Sequence, residues 1–141
     1  MGIGLILPDG VFIHNLKIMH NEKGDVLHAI KSSSPGFCGF GEAYFSVINS
    51  GETKGWKKHK KMTMNLCVPV GEIEFYLYSE AIGRTTTITL GEQNYQRLTI
   101  PPGIWVAFRG SSKTRNILLN VANLEHDPSE AENIPLESFA L

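Results

Sequence analysis

Apolar and polar positions alternate most clearly over residues 72–78, where Ile73, Phe75 and Leu77 share one face of an extended chain and Glu72, Glu74, Tyr76 and Tyr78 the other. That period of two is the pattern of a half-buried strand. Comparable short runs, punctuated by Pro8-Asp9-Gly10, Ser34-Pro35-Gly36, Asn49-Ser50-Gly51 and Pro101-Pro102-Gly103, predict strands over about 11–18, 25–31, 41–49, 54–60, 64–69, 72–79, 85–90, 95–100, 104–109 and 115–123. Many short strands with Gly and Pro between them indicate an all-β sandwich or barrel, not βαβ units. Pro69-Val70-Gly71 predicts a hairpin joining 64–69 to 72–79. The single helix start is Asp127-Pro128-Ser129-Glu130, where a proline and acidic residues open a short C-terminal helix.

A chain of 141 residues buries a substantial core without disulfide or metal staples, and it carries no repeat or linker-like segment, so a single domain over 1–141 is expected. Thirteen basic residues balance fourteen acidic ones, which argues against nucleic acid as the partner. Cys38 and Cys67 lie in apolar surroundings without zinc or CxxC spacing and are expected to be buried free thiols. The apolar start, Ile3 to Leu7, is too short for a signal h-region or a membrane span. With free thiols, this leads to the expectation of a cytoplasmic protein with no membrane partner.

Against that balance, Lys54-Gly55-Trp56-Lys57-Lys58-His59-Lys60-Lys61 concentrates five lysines around one imidazole. On a strand, Lys57, His59 and Lys61 share one face and Lys58 and Lys60 the other. Turned into a barrel, the first face is an anion-binding wall capable of acid/base chemistry; turned outward, it is a solvated edge that discourages aggregation. An imidazole flanked by cations makes His59 the best acid/base candidate. Trp105 and Arg109 follow a rigid Pro-Pro-Gly turn, where the indole either stacks on a base or sugar or fills core, and the guanidinium grips phosphate. Tyr76 and Tyr78 offer phenols as acids, or form a sheet surface. His14, His20, His28 and His126 show no metal-ligand spacing, and no P-loop, GxGxxG or Ser/His/Asp pattern is present.

Five segments resemble the cupin superfamily, and within it the sugar-nucleotide branch of dTDP-4-dehydrorhamnose 3,5-epimerases and dTDP-keto-sugar isomerases. They are Asn21-Glu22-Lys23-Gly24-Asp25, Lys54 to His59, Val68-Pro69-Val70-Gly71-Glu72, Ile100-Pro101-Pro102-Gly103 and His126-Asp127-Pro128-Ser129-Glu130. The resemblance implies a double-stranded β-helix, or jelly-roll barrel. Laid on the first cupin motif, the histidine positions fall on Lys57 and His59 and the glutamate position on Met64; in the second motif Val106 replaces histidine. One imidazole beside lysines and a thioether does not hold Fe, Mn or Zn, so no metal and no cofactor are expected.

The resemblance further implies a histidine that abstracts a proton next to a C4 keto group, a cation that holds the enolate, and a tyrosine that returns a proton. The branch's catalytic histidine corresponds to Lys57. Three alternatives follow: His59 is the base, a desolvated Lys57 is the base, or the site binds sugar nucleotide without turnover. Tyr76 or Tyr78 is the acid in this reading, and Lys54, Trp56, Lys61, Asn65, Trp105 and Arg109 contact substrate. Cupins of this kind pair through sheet edges, so Ile3 to Leu7 is expected to cross to a neighbour in a homodimer.

Overall fold

Ten of the strands in this fold form two five-stranded sheets packed face to face, as the spacing of apolar runs and turns requires. The computed structural model describes residues 6–141. In chain order the strands are β1 Phe12–Asn15, β2 Ile18–Met19, β3 Val26–Leu27, β4 Glu42–Ile48, β5 Thr53–His59, β6 Met64–Val70, β7 Glu72–Ser79, β8 Arg84–Gly91, β9 Gln96–Ile100, β10 Trp105–Gly110, β11 Asn116–Ala122 and β12 Ala131–Asn133. The first sheet runs β1-β9-β6-β11-β4, the second β12-β5-β10-β7-β8, and β2 and β3 form a separate ribbon. Neighbouring strands in the two large sheets are antiparallel and, β7 and β8 apart, non-consecutive in sequence, which is the jelly-roll arrangement.

The alternation in β7 and β8 fixes which faces meet. Ile73, Phe75 and Leu77 are fully buried, and Ile88 and Leu90 on β8 join them while Thr87 and Thr89 stay outside. Leu66 and Val68 of β6 and Leu98 and Ile100 of β9 close the same core from the first sheet. A second apolar cluster lies on the outer face of the second sheet: Trp56, Tyr76, Trp105 and Ala107, covered by Ile134, Leu136 and Phe139 of the C-terminal segment. Phe139 stacks on Tyr78 with ring centroids 3.7 Å apart, and Trp56 Nε1 donates to the Leu136 carbonyl at 2.9 Å. This cover explains why Tyr76, polar-faced by alternation, is nevertheless buried.

Three expectations are corrected. Residues 64–69 and 72–79 do not form a hairpin: β6 pairs β9 and β11, β7 pairs β8 and β10, and the chain passes between sheets at Gly71. There φ is +80°, and a Cβ would lie 2.1 Å from the Arg115 carbonyl oxygen, so the corner admits glycine alone. The C-terminal helix is replaced by two three-residue 3-10 turns, Pro128–Glu130 and Leu136–Ser138, with β12 between them. Backbone pairing of β12 with β5 outcompetes the helical start. Cys38 is exposed, because it sits in the irregular surface segment between β3 and β4, whereas Cys67 is buried in β6. Of the Ile3 to Leu7 run, residues 3–5 lie outside the described residues; the Ile6 carbonyl accepts from Thr86 Oγ1 at 2.9 Å and Leu7 packs on the core.

Candidate active site

A bulge in β5 decides what faces the barrel. Val106 of β10 pairs with Lys57, but Phe108 pairs with Lys54, so Gly55 and Trp56 together oppose the single residue Ala107. The extra residue puts Lys54 on the same face as Lys57 and His59 while Trp56 turns to the outer cluster. These three side chains, with Tyr44, Ser46 and Asn120 from the opposite sheet, form the polar part of a cavity of about 200 Å³. Met64, Leu66, Val106, Phe108 and Leu118 form its apolar part. Among the described residues no Asp or Glu lines it.

His59 is buried at 9% exposure and its Nδ1 is 2.5 Å from Glu130 Oε1. The other carboxylate oxygen accepts the backbone N–H groups of Lys60, Lys61 and Met62 at 3.0, 2.9 and 3.0 Å. Burial pushes the Glu130 carboxyl up, but the His59 hydrogen bond, the N–H groups of Lys61 and Met62, and the charge of His59 outweigh it and hold it at about 2. An ionised carboxylate only accepts, so Nδ1 carries the proton and Nε2 is the ring nitrogen left for chemistry. Glu130 is placed by its own turn, where Asp127 Oδ1 accepts from Ser129 N at 3.0 Å and Ser129 Oγ at 2.8 Å. Lys54 and Lys57 are exposed at the cavity rim. A lysine base requires desolvation, and Lys57 is exposed whereas His59 is buried.

Facing His59 from the other sheet, Tyr44 and Asn120 are direct cross-strand partners, and Asn120 Nδ2 donates to Tyr44 Oη at 3.1 Å. Asn120 is 2% exposed and its Oδ1 has no partner among the described residues. A buried amide oxygen left free beside a cavity is an acceptor awaiting a donor.

The remaining sequence-derived candidates sit elsewhere. Trp56, Tyr76, Tyr78 and Trp105 belong to the outer cluster. Tyr76 Oη donates to Glu74, which also pairs with Arg109 Nη1 at 3.2 Å; burial, with that hydrogen bond, raises the Tyr76 phenol. Asn65 is buried on the outer face of the first sheet, accepting from Arg97 Nε and Thr99 Oγ1. Lys61 lies beyond the end of β5 in the turn around Glu130, outside the cavity wall. Lys58, on the outer face as alternation required, pairs with Glu132 at 3.4 Å and lies over the Trp105 ring. Glu130, Tyr44, Ser46 and Asn120 were not identified from the sequence. The alternation of Tyr44, Ser46 and Ile48 was the available signal for one wall; for Glu130 there was only its place in the Asp-Pro-Ser-Glu turn.

A jelly-roll barrel whose cavity is lined by an imidazole backed by a buried carboxylate, by ammonium groups and by a phenol is the cupin architecture equipped for proton transfer. Among the described residues no three His, Cys, Asp or Glu side chains converge as a metal site requires. The chain is 35% identical to the dTDP sugar isomerase of Desulfovibrio desulfuricans G20, with a TM-score of 0.88 over 92% of this chain and 87% of that one. It therefore belongs to the RmlC-like cupin family of dTDP-sugar isomerases and epimerases. The dTDP-4-dehydrorhamnose 3,5-epimerase of Sulfolobus tokodaii shares the fold at 20% identity, TM-score 0.80, over 96% of this chain and 83% of that one. The spore coat polysaccharide biosynthesis protein SpsL of Bacillus subtilis (strain 168) is 23% identical over 129 residues, 88% of this chain and 85% of that protein. No family model matches the chain.

Proposed function

We propose that the protein is an epimerase or ketoisomerase of a nucleotide-linked 4-keto-6-deoxy sugar in surface-polysaccharide biosynthesis, working by proton abstraction without a metal. The observation that carries this is His59, backed by Glu130, in the wall of a cavity with two lysines on its rim and a phenol on the opposite wall. His59 Nε2 takes the proton from the carbon next to the C4 carbonyl, and the C–H electron pair moves into the enolate. The developing oxygen charge meets the Lys57 or Lys54 ammonium, and the imidazolium is held against Glu130. Tyr44 returns a proton from the other side, inverting the carbon when it is the same one, and Asn120 holds the phenol in place. The relatives' names, which speak of dTDP sugars and of polysaccharide biosynthesis, support this substrate class. The test is incubation with dTDP-4-keto-6-deoxyglucose in deuterated water, with NMR detection of deuterium at C3 and C5. Incorporation is expected. Ligand line-broadening without incorporation favours the second reading, a cupin that binds sugar nucleotide without turnover, which the presence of Lys57 at the position of the branch's histidine supports.

Tyr44→Phe separates the two proton transfers. Exchange at the carbon facing His59 is expected to persist within about threefold while formation of inverted product falls about 10²-fold, the scale of a lost general acid. Equal losses in both would instead place Tyr44 in binding.

We also infer a cytoplasmic homodimer. Free cysteines fit a reducing compartment, and no helix among the described residues is long and apolar enough to cross a membrane. Phe45 and Val47, 68% and 48% exposed, project from β4 at the edge of the first sheet, an apolar pair suited to a second copy. Phe45→Asp is expected to halve the mass measured by light scattering after size exclusion; an unchanged mass would place the contact elsewhere.

A further inference from the structure

A second cavity, of about 340 Å³, lies on the outer face of the first sheet, between β1, the segment 28–35 and Arg97. Its wall includes Lys17, Lys31, Arg97, His14 and His28 and, among the described residues, no Asp or Glu. Arg97 is 3% exposed, and its hydrogen bonds run to Asn65 Oδ1 at 3.2 Å, the Ala29 carbonyl at 3.2 Å and the Pro35 carbonyl at 2.8 Å. All three acceptors are neutral, and among the described residues no carboxylate lies within ion-pair distance of this guanidinium. The nearby acids do not supply the missing charge: burial pushes the Cys67 thiol up to about 11 and the Tyr95 phenol up to about 12. His14 Nε2, also on the cavity wall, is buried without a partner.

A buried cation is ordinarily paired, because leaving it without a counter-charge costs several kcal/mol. Of the five N–H donors of a guanidinium, the three hydrogen bonds above leave two unused. We propose that this cavity binds an oxyanion of the phosphate class, with Arg97 as its buried cation, Lys17 and Lys31 closing over it from the rim, and His14 Nε2 as a further donor. The site is separate from the barrel and does not depend on the reaction proposed there.

The test is a titration of the full chain with inorganic phosphate, followed by ¹H–¹⁵N spectra at constant ionic strength set with chloride, so that general screening does not change. Saturable shifts are expected at residues 14–17 and 28–34 and not at 54–59. The double variant Lys17→Ala, Lys31→Ala removes two exposed side chains and is expected to raise the phosphate dissociation constant about tenfold, the equivalent of one charge-assisted contact. A parallel titration with dTDP identifies the source: shifts of the same residues at lower concentration assign the site to a nucleotide phosphoryl group, and shifts with phosphate alone assign it to the free anion. Non-saturating shifts, shifts at 54–59 alone, or an affinity unchanged in the double variant would overturn the proposal.

Discussion

His59→Ala is expected to reduce deuterium incorporation into the keto sugar about 10³-fold, within the range that a positioned general base contributes. The imidazole is the cavity group whose tautomer is fixed, since Glu130 accepts from Nδ1 and the basic nitrogen of the neutral ring is then Nε2. Lys54 and Lys57 are solvated at the rim, and Tyr44 is on the opposite wall. The substitution also strips Glu130 of one hydrogen-bond partner but not of the three N–H groups on its other oxygen, so the fold should survive with a loss of about 1–3 kcal/mol. Circular dichroism and a urea titration separate that loss from the kinetic one. The competing assignment is tested in the same assay. If Lys57 is the base, Lys57→Ala abolishes exchange and His59→Ala does not; if Lys57 only steadies the enolate oxygen, its removal slows exchange and leaves the base intact.

The strand pattern was legible because period-two alternation and Gly/Pro punctuation are local signals, and each strand expected from 41 onward coincides with an observed one within about two residues. Pairing was not legible. Whether 64–70 folds back on 72–79 depends on what each strand meets across the sheet, and the positive φ at Gly71 serves a crossing between sheets as well as it would serve a hairpin. The site divides in the same way. That Lys57 and His59 share a face followed from alternation, though not which way the face turned, and simple alternation carried Lys61 along with them and left Lys54 out, because the bulge opposite Ala107 shifts the phase by one residue and the strand ends at His59. Trp56, Tyr76, Tyr78 and Trp105 look like ligand platforms in sequence and become core once residues 134–139 cover the sheet; a cover contributed from some 60 residues further along leaves no trace in the pattern of β7. Glu130 was misread for a related reason: an acidic residue after Asp-Pro satisfies the rules for a helix start, and its 3-10 turn instead aims it at an imidazole 71 residues earlier.

Glu130→Gln provides the most discriminating test of the pair, because it preserves shape and reverses one hydrogen bond. The amide oxygen still accepts from Lys60, Lys61 and Met62, so the amide NH₂ must take the place of Oε1 and present a hydrogen to His59 Nδ1. The ring then accepts at Nδ1 and carries its proton on Nε2, the tautomer that cannot abstract. Turnover is expected to fall about 10³-fold with KM changed less than about threefold, since a reversed tautomer in a comparable histidine–carboxylate pair costs up to about 10⁴. A second readout follows from linkage. The folded-state value of Glu130 is depressed, to about 2 from an ordinary 4.5, so its contribution to stability is fully present above about pH 4.5 and disappears as pH falls through about 2. That contribution is about 3 kcal/mol at neutral pH for a shift of this size. In urea titrations between pH 5 and 2, the wild-type midpoint should therefore fall more steeply than that of the glutamine variant, which has nothing to protonate at that position. Parallel slopes would mean that the carboxylate is not held ionised by its surroundings, and wild-type turnover in the variant would mean that His59 does not act through Nε2.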